Sequence, residues 1–201
     1  MKKIFAAILC SLFIFSACSS ANTQDTSAPP AAVENPDFRT VKWGMTKNEV
    51  ITCEGNPDKE NFIGEENGSL YRIGYSNISV VDYAADLYYY FEDDKLYSAE
   101  YKFTCDGKTD LQIHNMYISI KDEYIGKYGN PINSTAFTSN LDYNDKIDTH
   151  IFDSDFNFGG AAGYSDEWSG TNNAQIRMDL SYLDEDTIYF NIEYYAIDSN
   201  I

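Results

Sequence analysis

The stretch Asp86 to Phe103 reads DLYYYFEDDKLYSAEYKF, and its alternation decides the fold. Leu87, Tyr89 and Phe91 alternate with Asp86, Tyr88 and Tyr90. Beyond Glu92-Asp93-Asp94-Lys95, the residues Tyr97, Ala99, Tyr101 and Phe103 alternate with Ser98, Glu100 and Lys102. A period of two marks a strand with one buried face, because successive side chains point to opposite sides. Two such runs around a short polar link make an antiparallel hairpin. For both apolar sets to share a face, the link must hold an odd number of residues. That selects a three-residue loop at Asp93 to Lys95 over a two-residue one.

The same pattern returns near the C-terminus. Ile176, Met178, Leu180 and Tyr182 form one face, continued by Ile188, Phe190, Ile192 and Tyr194, and a three-residue loop at Asp184 to Asp186 joins them. Upstream of each hairpin lies a helix with matching punctuation. Thr46 and Glu49 form a capping box, Val50 and Cys53 follow at helical spacing, and Gly55-Asn56-Pro57 stops the helix. Thr109 and Gln112 form a second box. Ile113, Tyr117, Ile120, Tyr124 and Tyr128 then mark one face before Gly129-Asn130-Pro131, 74 residues after the first stop. The expected fold class is therefore α+β: a tandem repeat of a helix followed by an antiparallel β-meander, with helices packed on one face of the sheet. Further strands are expected near Leu70 to Tyr75 and Thr149 to Asp153. Residues 157 to 174, with Gly159, Gly160 and Gly163, read as a long loop.

The N-terminus carries an address. Lys2 and Lys3 precede an apolar run from Ile4 to Phe15, followed by the small residues Ser16 and Ala17 and then Cys18. The run falls short of the roughly 20 residues a spanning helix needs, so it reads as a removable export signal. Phe15-Ser16-Ala17-Cys18 resembles the lipobox of bacterial lipoproteins, with Phe in place of the commoner Leu. The resemblance implies cleavage between Ala17 and Cys18, a diacylglycerol on the Cys18 thiol, and a chain anchored on the extracytoplasmic face of the cell membrane. Residues 19 to 36, SSANTQDTSAPPAAVENP, lack apolar periodicity and read as a flexible tether. The expected organisation is a signal peptide at 1–17, lipidated cysteine and linker at 18–36, a first helix-plus-sheet unit at 37–107 and a second at 108–201.

Charge restricts the partners. The formal charge is −18, and loss of residues 1–17 with Lys2 and Lys3 takes it to −20. So acidic a surface repels nucleic acid and anionic headgroups, which leaves the lipid as the membrane anchor. Cys53 and Cys105 remain after export and can either pair in an oxidising compartment or serve as small apolar residues.

The opening of the folded part, Phe38 to Pro57 (FRTVKWGMTKNEVITCEGNP), resembles that of the outer-membrane assembly lipoproteins of the SmpA/OmlA (BamE) type. The tandem pattern looks like the β-lactamase inhibitor protein fold. Gly44, Thr46, Glu49, Val50, Gly55 and Pro57 carry the match, and each starts, faces or stops a helix. The resemblance therefore implies an architecture and a binding role, without the inhibitor activity.

No catalytic string emerges. His114 and His150 fall in different elements, and neither a G-x-S-x-G nor an H-E-x-x-H motif is present. The acidic stretch from Asp142 to Asn157 includes Asp153-Ser154-Asp155-Phe156-Asn157, which starts like a calcium loop. Phe158 and Tyr164 then occupy the positions of its Gly and Glu, so neither calcium nor another metal or cofactor is expected. Asn67-Gly68-Ser69 reads as a turn. Tyrosine is abundant at 17 residues, and Tyr88, Tyr90, Tyr189 and Tyr195 fall on strand faces opposite the core set. An aromatic body with a polar tip suits an interface, and the same ring also suits a covered strand. The leading expectation is a lipid-anchored, non-catalytic module binding a protein or cell-wall partner through those tyrosines or the Gly-rich loop. An envelope-assembly accessory or inhibitor-like protein comes second, and a hydrolase third.

Overall fold

A computed structural model describes residues 35–63, 69–138, 162–171, 173–183 and 187–197. The lipobox at Cys18, the sequon at Asn67 and Gly68, His150, the expected strand at Thr149 to Asp153, the acidic stretch Asp142 to Asn157, Gly159-Gly160 and the Asp184 to Asp186 loop lie outside the described residues.

Both helices form where the capping boxes place them. Helix α1 spans Lys47–Glu54 and α2 spans Asp110–Tyr128. In each, the N-cap threonine hydroxyl accepts the N3 amide, and the N3 side chain accepts the N-cap amide. Gly55 and Gly129 close them at φ of 93° and 82°, a region that only glycine enters without strain. Trp43-Gly44-Met45 is a docking segment: Gly44, at φ 83°, donates to the Leu96 carbonyl, and the Leu96 amide donates back to Met45, both at 2.8 Å.

The strands are β1 (Lys59–Phe62), β2 (Leu70–Val80), β3 (Tyr83–Glu92), β4 (Lys95–Phe103), β5 (Asn133–Thr138), β6 (Ala162–Ser169), β7 (Ala174–Tyr182) and β8 (Ile188–Ala196). They do not build the expected tandem of helix-plus-meander repeats. All eight join one antiparallel sheet in the order β1-β2-β3-β4-β8-β7-β6-β5, accompanied among the described residues by only two helices. The physical reason lies in edge pairing. A separate meander ending at β4 would leave a long row of unpaired backbone groups. Instead β4 pairs with β8, from Ser98 opposite Tyr195 to Lys102 opposite Asn191, and the sheet continues across the middle of the chain. The strands left at the edges are short, four residues in β1 and six in β5.

One core cluster runs beneath β2 to β4 and β6 to β8, leaving out the edge strands β1 and β5. Val50 of α1 and Ile113, Met116, Tyr117, Ile120 and Tyr124 of α2 pack against Ile73, Leu87, Tyr89, Phe91, Ile176, Met178, Leu180, Phe190 and Ile192. Strand β7 alternates buried and half-buried without exception, as expected of a sheet with one covered face.

The β3–β4 hairpin corrects the expected loop. Glu92 pairs with Lys95 around a two-residue turn, with Asp93 and Asp94 at φ 48° and 62°. Positive φ at both positions gives the turn a twist that matches the flanking strands. The odd residue that parity demands sits instead in a bulge. Phe91 pairs with Leu96 and Tyr90 with Ser98, so Tyr97 is unopposed. Leu96 takes the fully buried place, and Tyr97 turns to the other face near Tyr90, with ring centroids 6.5 Å apart.

The expected loop at 157–174 is also corrected, since Ala162–Ser169 is strand β6, paired on both sides. Gly163 looked like a loop residue but serves close backbone approach: a Cβ there would lie 2.2 Å from the Leu180 carbonyl oxygen. Gly163→Ala is expected to force β6 away from β7 and cost about 1–3 kcal/mol, read as a lower urea midpoint. A midpoint equal to wild type would show that the backbone gives freely.

Candidate functional site

The face of the sheet opposite the helices is lined by alternating tyrosines, acids, amides and cations. It takes Arg72 from β2, Tyr88 and Tyr90 from β3, and Tyr97, Ser98, Glu100 and Lys102 from β4. Strand β8 adds Tyr189, Asn191, Glu193 and Tyr195, and β7 adds Arg177, Asp179 and Ser181. Apart from Tyr97, which the bulge turns to this side, these are the positions alternate to the buried set, so their shared face follows from period two and register.

Two adjoining recesses of about 450 Å³ each occupy this face. One lies among Tyr90, Tyr97, Glu100, Arg177, Glu193 and Tyr195. The other lies among Arg72, Glu100, Lys102, Asp179, Tyr189 and Asn191, and Tyr90 borders both. At their junction Glu100 of β4 stands directly opposite Glu193 of β8. Like charges facing across a ladder destabilise it. Neighbours offset the conflict. Glu100 accepts from the Tyr90 hydroxyl and from Asn191 Nδ2 at 3.0 Å, while Glu193 accepts from Arg177 at 2.6 Å. Arg177 also donates to Asp179 at 2.8 Å. Burial pushes the Glu193 carboxyl above its ordinary range against the pull of Arg177, and Glu100 and Asp179 push the same way. Burial and then the bond to Glu100 likewise raise the Tyr90 phenol, which keeps it a donor. A sequence selected only for stability would not oppose two acids at mid-sheet, and such local conflicts concentrate where function needs them.

The four tyrosines named from the sequence do share this face, but differ in availability. Tyr88 is only 8% exposed. Its ring covers Gly74, whose Cβ would lie 2.8 Å from Tyr88 Cε1, and the Arg72 guanidinium and Lys59 Nζ stand 4.6 and 5.7 Å from its centroid. Tyr90 and Tyr195 are half-buried at the recess wall. Tyr189 is 45% exposed, with Lys102 Nζ 5.3 Å from its ring. Sequence reasoning missed Tyr97, Glu100, Arg177, Asn191 and Glu193. The alternation placed the last four on this face, but only the pairing of β4 with β8 brings them together.

A second polar cluster sits on the helix side. Asp166 of β6 is 2% exposed and accepts from Tyr117, from Ser134 and from Lys121 Nζ at 2.7 and 2.9 Å. Burial, then Asp166, lifts the Tyr117 phenol well above its ordinary value. These groups satisfy one another and tie α2 to β5 and β6, beneath a recess of about 410 Å³ that His114 and Tyr164 also line. Burial lowers the His114 pKa and favours the neutral ring. Asp166 was invisible while its segment read as a loop.

Cys53 and Cys105 are free thiols, each half-buried. Burial raises both pKa values, which suppresses the reactive thiolate at neutral pH. Among the described residues no three His, Cys, Asp or Glu side chains are grouped to hold a metal ion.

The described residues form a single antiparallel sheet with two helices on one face and the other face open. No protein-family model, curated protein or solved structure matches this chain.

Proposed function

We propose that this chain is a non-catalytic binding module of the cell envelope, held to the membrane by lipid on Cys18, that takes its protein or cell-wall partner on the open sheet face. The observation that carries this reading is the Glu100–Glu193 opposition, set between two recesses and ringed by Tyr90, Tyr97 and Tyr195. Rigid aromatic rings around a partly desolvated polar centre are the usual makings of a docking surface. The anchor is supported by the lipobox-like Phe15-Ser16-Ala17-Cys18 after a short apolar run.

Hydroxyl-radical labelling of intact cells against the purified chain tests both parts. Tyr97, Tyr189 and Tyr195 are expected to be protected on cells and labelled after purification. Cys18→Ser should release the chain from the membrane fraction. Equal labelling in both settings would remove the docking face, and unchanged fractionation would remove the anchor.

A further inference from the structure

The chemistry of the open face narrows the class of ligand, on the basis of the docking role proposed above. The walls of the two recesses carry three cations, Arg72, Lys102 and Arg177, and three acids, Glu100, Asp179 and Glu193. Their charges cancel, on a chain whose formal charge is −18. Much of that charge is already engaged within the face: Arg177 with Asp179 and Glu193, Arg72 with the Tyr90 hydroxyl, and Glu100 with Tyr90 and Asn191. A polycation or polyanion finds no local excess of opposite charge in these recesses, and would have to break these pairs to form its own.

What the face does offer is a dense alternation of donors and acceptors between aromatic rings. Arg177, Asn191 and Ser98 can donate, while Glu100, Asp179 and Glu193 retain acceptor lone pairs. Tyr90, Tyr97 and Tyr195 supply apolar ring surface with polar tips. A sugar ring has the complementary surface, with C–H groups on its faces and hydroxyls that both donate and accept around its rim. Strands lie about 4.8 Å apart, close to the length of one sugar unit in an extended chain. A glycan crossing β3, β4, β8 and β7 would therefore meet a repeating set of groups. We infer that the open face binds an uncharged glycan strand, laid across the strands over Tyr90, Tyr97 and Tyr195 with its hydroxyls on Glu100, Arg177, Asn191 and Glu193.

Calorimetric titration of the full chain in detergent tests this, with chitohexaose, cellohexaose and maltohexaose as uncharged probes and hexalysine and hexagalacturonate as charged ones. At least one uncharged hexasaccharide is expected to bind saturably. Its affinity should change little between about 50 and 500 mM salt, because no net charge is neutralised. Tyr97→Ala with Tyr195→Ala should weaken it about tenfold or more, the scale of losing an aromatic anchor. Tyr97→Phe should hold affinity within about twofold, and equal urea midpoints establish that the variants fold. The inference is overturned if no uncharged probe binds, if the alanine pair leaves sugar binding intact, or if only a charged probe binds with strong salt dependence. Protection of the tyrosines on cells combined with failure of all three sugars would remove the glycan and leave the docking face standing. Equal labelling of the tyrosines would remove the face itself.

Discussion

Replacing Asp166 by alanine is expected to lower the stability of the fold by about 3–5 kcal/mol, the cost of breaking a buried pair by removing one partner. Three groups converge on this carboxylate: the Lys121 ammonium, the Tyr117 hydroxyl and the Ser134 hydroxyl. Alanine would strand the Tyr117 hydroxyl in the core and leave Lys121, 26% exposed along its side chain, without its counter-charge. Both donors would then carry desolvation penalties without compensation. Because the carboxylate links α2 to β5 and β6, the loss should appear as a lower urea midpoint with an unchanged slope. Asp166→Asn keeps an acceptor for one hydroxyl and should lose less than half as much. An alanine variant within about 0.5 kcal/mol of wild type, the range of ordinary surface changes, would show that the cluster is not a latch.

Phe38→Ala should cost a similar amount, about 3–5 kcal/mol for a buried phenylalanine. Phe38 follows the expected tether, and its ring is 5% exposed. It lies 5.9 Å from Tyr89 of β3, 5.5 Å from Tyr101 of β4 and 4.5 Å from Tyr194 of β8, centroid to centroid. One side chain ahead of the first helix therefore covers the junction where the early and late strands meet. Around it Asp37 accepts the Trp43 amide at 2.9 Å, and Arg39 pairs with Glu54 at 3.2 Å. Removing the ring opens a cavity bounded by three tyrosines, which packing cannot close without moving the sheet. Near-ultraviolet circular dichroism should lose intensity alongside the fall in urea midpoint. A wild-type midpoint would mean that the arm merely rests on the core.

The sequence made the covered face legible and left its neighbours hidden. Period two sorts Leu87, Tyr89 and Phe91 from Tyr88 and Tyr90, because side-chain direction is a local property of the strand. Likewise Thr46 with Glu49 and Thr109 with Gln112 start helices through bonds spanning three residues. Which strand pairs with which is not local. Nothing near Tyr101 announces Ile192 as its partner, so the tandem repeat looked complete when the chain in fact closes one sheet. The parity argument at the β3–β4 hairpin was sound, but assigned the extra residue to the loop when it belonged in the bulge at Tyr97. That error hid Leu96 from the core and Tyr97 from the open face. Glycine misled at Gly163, where the absent side chain serves tight strand packing rather than a bend. The candidate site was half visible: its tyrosines stood out by number, while the opposed acids and Arg177 needed the β4–β8 pairing.

That pairing also fixes when the molecule can be finished. Ser98 and Tyr195 are partners across almost half the polypeptide, and β8, the most C-terminal of the described strands, lies in the middle of the sheet rather than at its rim. Until residues 188–196 arrive, β4 and β7 both present bare inner borders, and Phe38, Tyr101, Phe103 and Tyr117 lack the rings of Phe190 and Tyr194 that pack on them. Contacts so distant along the chain form late and slowly. The export role proposed above would gain from this order of events, since a thread that cannot close early stays pliable while it is being passed through a narrow pore.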